Sequence, residues 1–163
     1  MNIYIVSDTH FGDNNINLYE HRPLPVHEMD ERMVELWNTA VTCNDIVYHL
    51  GDFGLPSYAG RLNGRKYLIM GNHDRELSPE QWREAGFENA SELPCILDKY
   101  IILQHEPPEY YRNDTPYCWL YGHVHSTDMY RTITRRTACM CAERWDYRPQ
   151  LLSDIIAKMN TEE

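Results

Sequence analysis

Apolar positions along the chain change period several times, and each change predicts an element. Ile3-Tyr4-Ile5-Val6 is a short continuous apolar run that reads as a buried strand ending at Ser7-Asp8. Met29, Met33, Leu36, Trp37, Ala40 and Val41 recur at helical spacing, which predicts an amphipathic helix over roughly 27–42. Asp45 to Leu50 reads as a second strand stopped by Gly51, and Lys66 to Met70 as a third stopped by Gly71. Ser78-Pro79-Glu80-Gln81 is a helix start, with a capping serine, proline in the first turn and glutamine three residues on. Ile96-Leu97 and Tyr100 to Leu103 flank Asp98-Lys99 as a hairpin. Trp119-Leu120-Tyr121 leads into Gly122, Thr137 to Cys141 reads as a last strand, and Leu151 to Met159 as a closing helix. Strand and helix alternate early and strands cluster late, so an α/β layered domain with a partly mixed sheet is expected.

The strand ends carry the chemistry. Strand one runs into Asp8-Thr9-His10, strand two into Gly51-Asp52, and strand three into Gly71-Asn72-His73-Asp74. Later runs end at Gln104-His105 and at Gly122-His123-Val124-His125. In α/β sheets the carboxyl ends of parallel strands share one edge, and ligands bind in the crevice there. Taken singly, most of these blocks are ordinary turn sequences. In this order, at successive strand ends, they predict a metal site. Five of the eight histidines fall in them: His10, His73, His105, His123 and His125.

Composition narrows the reading. A chain of 163 residues leaves room for one domain, taken as 1–163. A formal charge of −10 argues against a protein that lives on nucleic-acid phosphates. No apolar run is long enough to span a bilayer, and the N-terminus has no signal-peptide pattern. The five cysteines form no C-x-x-C pair, so a reducing, cytoplasmic setting is expected. Cys139 and Cys141 read as small buried side chains rather than ligands, and His49 as packed on its strand.

The ordered set D-x-H, G-D, G-N-H-D, H, G-H-x-H over residues 8–125 resembles the calcineurin-like metallophosphoesterase superfamily, in its small, cap-less bacterial and phage form. The resemblance implies a four-layer α/β/β/α sandwich of two mixed β-sheets flanked by helices. It implies two divalent ions, one held by Asp8, His10 and His125 and the other by Asn72, His105 and His123, with Asp52 bridging. Manganese is the first expectation, with iron, zinc, nickel or cobalt also suiting imidazole and carboxylate donors. The implied reaction is hydrolysis of a phosphate ester, with a phosphodiester favoured, by attack of a metal-bridging hydroxide. His73 would be the general acid and Asp74 the residue behind it that fixes its tautomer.

Substrate contacts are expected from Arg75, from Asn14 in the loop after strand one, and from Arg22 in an irregular stretch that could reach the site as a lid. The implied partner is a small phosphorylated substrate, with no membrane and with nucleic acid disfavoured. Two alternatives are a nuclease of the same superfamily and a metal-binding scaffold without catalysis.

Overall fold

The computed structural model describes residues 1–162. Strands β1 (Ile3–Val6), β2 (Ile46–His49), β3 (Arg65–Ile69) and β4 (Asn89–Ser91) run parallel in one sheet. Its order is β4-β3-β2-β1, and β9 (Gln150–Leu151) adds antiparallel to β1. A second sheet has the order β5-β6-β7-β8. The hairpin β5 (Cys95–Leu97) and β6 (Ile101–Leu103) is antiparallel, and β7 (Cys118–Tyr121) and β8 (Thr137–Cys139) extend it in parallel. Helices α1 (Ile16–Glu20), α2 (Val26–Ala40), α3 (Pro79–Glu84) and α4 (Leu152–Thr161) complete the fold. Two mixed sheets flanked by helices match the expected class. The short strands β4 and β9 and the one-turn helix α1 lack a readable period and were not foreseen.

Both faces of the first sheet are covered, and side-chain alternation divides its strands between two cores. Val6, Val47 and Leu68 point to a cluster with Met29, Met33 and Trp37 of α2 and Trp82 of α3. Ile5 and Ile69 point the other way, onto Leu103, Leu120 and Ala138 of the second sheet and Ile155 and Met159 of α4. α2 starts at Val26 and stops at Ala40, close to the expected span. Its Asp30, itself buried, accepts from the Gly12 N–H at 2.9 Å and from the Tyr58 hydroxyl at 3.1 Å, which pins the loop after β1. α3 carries the foreseen capping box between Ser78 and Gln81.

The sheets are stitched together at one rim. β1 leaves its own sheet at Ser7, which pairs with Cys141 beyond β8: the Ser7 N–H donates to Met140 O at 3.0 Å, and the Ala142 N–H to Ser7 O at 2.9 Å. On the other side the loops after β1 and β2 keep a ladder of N–H donations, Asp8 to Gly51 O, His10 to Asp52 O and Phe11 to Phe53 O, at 2.9–3.0 Å. No helix among the described residues is long and apolar enough to cross a membrane.

Trp37 is 1% exposed, stacks on His49 with ring centroids 6.4 Å apart, and donates its indole N–H to Asn63 O at 3.0 Å. Trp37→Ala removes an anchor of the core behind the rim and should cost about 3–5 kcal/mol of stability, measured by urea unfolding followed by far-UV circular dichroism.

Candidate metal centre

Every block singled out in the sequence arrives at this rim. Asp8, His10 and His125 bring ligand atoms within 4.8 Å of one another, and so do Asp52, His105 and His123. Asn72 joins the second group, its Oδ1 lying 3.0 Å from His105 Nε2 and 3.1 Å from His123 Nδ1. Asp52 faces both groups: its Oδ2 is 3.7 Å from His10 Nε2 and 3.4 Å from His105 Nε2. The groups surround a cavity of about 380 Å³ lined also by Asp13, Ile16, Tyr19 and His73.

The backbone at these positions is unusual. Asp8, His10, Asp52, His123 and His125 all have left-handed φ, between 46° and 71°. Non-glycine residues in that region are uncommon, and asparagine, aspartate and histidine tolerate it best. A left-handed residue two to four positions past a strand turns the chain back on itself, so its side chain is delivered to the rim instead of running on with the strand. The glycines of the blocks allow the chains to close in. A Cβ at Gly122 would collide with Ser7 Oγ and Asp8 Oδ2, and one at Gly71 with the Asp52 carboxylate.

Donor orientations are set from behind. His105 Nδ1 donates to Leu50 O at 2.8 Å, which leaves Nε2 facing the group. His10 Nδ1 is 3.3 Å from Asp13 Oδ2, and its Nε2 is buried with no hydrogen-bond partner. His125 Nδ1 lies 3.4 Å from Glu143 Oε2, and its Nε2 lies 3.6 Å from Asp8 Oδ1. The His123 N–H donates to both oxygens of Asp8 at 3.0–3.1 Å. An orphaned imidazole nitrogen, and three acceptor-capable atoms (His105 Nε2, His123 Nδ1, Asn72 Oδ1) crowded within 3.0–3.1 Å, form the arrangement a cation resolves. Nitrogen and oxygen donors without thiolate suit borderline divalent ions.

Several expected residues have other roles. Among the described residues, the Asp74 carboxylate makes no hydrogen bond or ion pair with the His73 ring. It accepts from the backbone N–H groups of Asp52, Phe53 and Gly71 at 2.7–2.9 Å and so ties the loops after β2 and β3 together. Burial pushes this carboxyl up, against those three donations. The reading of Asp74 as the tautomer partner of His73 is therefore corrected. Arg22 is no lid residue. It is buried, and its guanidinium is consumed by Glu143 and by the carbonyls of Asp8 and Thr9. Asn14 is exposed and lines neither cavity at the rim; Asp13, Asn15 and Tyr19 do. Arg75 is exposed and lines a separate recess of about 170 Å³ beside His105 and Gln104. His73 is exposed in a 3₁₀ turn (His73–Glu76), belongs to neither ligand group, and is anchored by its N–H to Asp52 Oδ1 at 3.0 Å. Its ring centroid is 5.3 Å from that of His10.

His49 is packed, as expected. Its Nε2 pairs with Thr9 Oγ1 at 3.0 Å, and burial holds its pKa down at about 3. Cys139 and Cys141 are buried, and the Cys141 sulfur accepts the His125 N–H at 3.1 Å. Glu143 escaped the sequence reading. It sits in the 3₁₀ turn Ala142–Trp145, four residues past the end of β8 at the same rim, and that position after a strand is the available signal.

The profile of the calcineurin-like phosphoesterase superfamily domain matches residues 1–139. The chain is 32% identical over 170 residues to the uncharacterized protein MJ1445 of Methanocaldococcus jannaschii, covering 96% of this chain and 90% of that one. It is 28% identical to the Gene 66 protein of Mycobacterium phage D29, covering 82% and 83%. Its fold is similar to that of a solved structure, the protein of unknown function AQ665 from Aquifex aeolicus, with a TM-score of 0.72, 24% identity and coverage of 96% and 98%.

Without metal, protons take the cation's place. Burial alone would lower the pKa of His105 and His125, yet Asp52 and Asp8 beside the first, and Glu143 and Asp8 beside the second, raise both to about 9. Burial would likewise raise Glu143 above its ordinary 4.5, but His125 and Arg22 pull it down to about 2. The two histidines therefore add stability that is complete below about pH 6.5 and lost as pH rises through about 9. Glu143 adds stability that is present above pH 4.5 and lost toward pH 2. His49 and His10, whose pKa values burial lowers, take stability away as pH falls below 6.5. Chelator-treated protein should therefore melt highest near about pH 6–6.5 and lower at both pH 5 and pH 9. Added Mn²⁺, which must displace these protons, should raise the melting temperature more at pH 8.5 than at pH 6. Thermal melts with and without chelator check both. With a phosphoesterase profile over most of the chain and its donors gathered at one rim, this chain belongs to the calcineurin-like phosphoesterase superfamily, whose members generally hold two divalent metal ions.

Proposed function

We propose that the chain is a dinuclear metal-dependent phosphohydrolase that cleaves a phosphodiester with a small, uncharged leaving arm. The observation that carries this reading is the pair of facing ligand groups with Asp52 Oδ2 between them. Asp8, His10 and His125 would hold one ion, Asn72, His105 and His123 the other, and Asp52 both. Bound there, divalent ions supply positive charge for a phosphoryl group and lower the pKa of coordinated water toward neutrality. Manganese leads among the borderline ions that such donors accept.

The chain's own residues do the rest. His73 stands at the boundary between the 380 Å³ cavity and a neighbouring recess of about 540 Å³, and it lines both. A protonated His73 imidazole donates to the departing oxygen, which puts the leaving arm in the larger recess. That recess presents Phe11, Tyr19, Leu55, Pro56, Leu77 and Trp82 together with Asp13 and Glu76, and no lysine or arginine. Carboxylates without cations favour a singly charged diester over a dianionic monoester and repel a polyanionic strand. The charge of −10 supports the same choice against a nuclease.

A metal-reconstituted screen of aryl monoesters, aryl diesters, cyclic nucleotides and short oligonucleotides should give the highest kcat/KM for small diesters. A preference for oligonucleotides that falls steeply with salt would replace this reading with a nuclease. His73→Ala should retain its metal by elemental analysis yet lose about 10²–10⁴ in kcat. Full turnover by the loaded variant would remove His73 from the mechanism.

A further inference from the structure

One buried ion pair touches two of the three candidate ligands of the first group directly and is shut off from solvent. The Arg22 and Glu143 side chains are 1% and 4% exposed. Arg22 Nε and Nη2 both donate to Glu143 Oε1, at 3.0 and 2.6 Å. The same guanidinium reaches the turn after β1, with Nη1 donating to Thr9 O at 2.7 Å and Nη2 to Asp8 O at 2.8 Å. The second oxygen of Glu143 lies 3.4 Å from His125 Nδ1, and His125 Nε2 lies 3.6 Å from Asp8 Oδ1. The path closes on itself: Asp8 main chain, Arg22, Glu143, the His125 ring, Asp8 carboxylate.

Two chemical consequences follow. The carboxylate behind His125 makes Nδ1 the nitrogen that keeps its proton and turns Nε2 toward Asp8, as the nitrogen free to give up its proton to a metal. The fork of Arg22 holds two successive carbonyls of a turn whose Asp8 and His10 are both left-handed, a conformation the chain abandons unless something over-determines it. The second group is held by a different device: the buried Asp74 carboxylate ties the loops that carry Asp52 and Asn72, and among the described residues no arginine–glutamate pair reaches its imidazoles. His105 is oriented by the carbonyl of Leu50, and Asn72 and His123 stand in exposed turns.

We propose that the Arg22–Glu143 pair is the positioning element of the first metal group, so that disrupting it empties Asp8, His10 and His125 while Asp52, Asn72, His105 and His123 stay loaded. This rests on the two-metal reading above. Neither residue touches substrate; both act through His125 and the turn at Asp8 to His10.

The test compares wild-type protein with Glu143→Gln, which keeps size but loses the charge. Arg22→Lys is the second variant, keeping the charge but losing the planar fork. Mn²⁺ binding is measured by isothermal titration, bound ions are counted by elemental analysis after gel filtration, and electron paramagnetic resonance distinguishes a coupled Mn²⁺ pair from an isolated ion. Wild type should bind two ions with a coupled signal. Glu143→Gln should weaken one site about 10–100-fold, leave the other within a factor of two or three, and show the isolated-ion signal at sub-saturating metal. Arg22→Lys should fall between. Melting in chelator separates positioning from mere stability, since a positioning role predicts a change in one metal site far larger than any change in the metal-free melt. Two unchanged sites in Glu143→Gln, or equal weakening of both, overturns the proposal alone. Wild-type protein that binds fewer than two ions overturns the dinuclear reading and this one with it.

Discussion

The rim exists because the backbone turns left-handed as it leaves the sheets. Asp8, His10, Asp52, His123 and His125 each hold a conformation that costs about 1–2 kcal/mol for a side-chain-bearing residue. Five such residues at one edge persist only because their neighbours leave no alternative. The neighbours are identifiable. Asp74 gathers three backbone N–H groups from two loops, Arg22 gathers two carbonyls from a third, and the His123 N–H binds the Asp8 carboxylate across the sheets. Buried charge is here spent on shaping main chain, and the ligand side chains follow from that shape.

The same arrangement sets the electrostatics. Asp52 lies between imidazoles on both sides, and its carboxyl is held well below the ordinary range despite burial, chiefly by the His105 hydrogen bond and charge. It therefore remains an anion in the middle of the two groups at any working pH. Around it, Asn72 Oδ1, His105 Nε2 and His123 Nδ1 crowd within 3.0–3.1 Å of one another, and His10 Nε2 has no partner. A site built this way is poorly satisfied when empty, which couples occupancy to stability.

Much of this was legible because the parallel-strand rule is a local one. Ile3 to Val6, Ile46 to His49 and Arg65 to Ile69 are short β-rich runs, each followed within two or three residues by Asp or Asn, so a reader of the chain places Asp8, His10, Asp52, Asn72, His105, His123 and His125 at a shared edge without coordinates. Arg22, Asn14 and Asp74 show where that rule stops. Arg22 follows no strand, and nothing local says that its guanidinium turns inward to a glutamate 121 positions away. Asn14 sits beside Asp13 and Asn15 in an irregular loop, and which of the three faces the cavity depends on how α1 begins. Asp74 adjoins His73 in sequence, but successive residues of a 3₁₀ turn point apart, so adjacency along the chain misled about adjacency in space.

Strand periods, the capped helix and the choice of candidate metal-ligand residues belong to the amino-acid order alone, because each follows from neighbours a few positions apart. The orientation of each imidazole, the diversion of Asp74 to backbone, the burial of Arg22 against Glu143 and the distribution of carboxylates around the larger recess belong to the tertiary structure. Those depend on which distant groups arrive first at each hydrogen-bonding atom once burial has removed water as a competitor, and no local pattern carries that information.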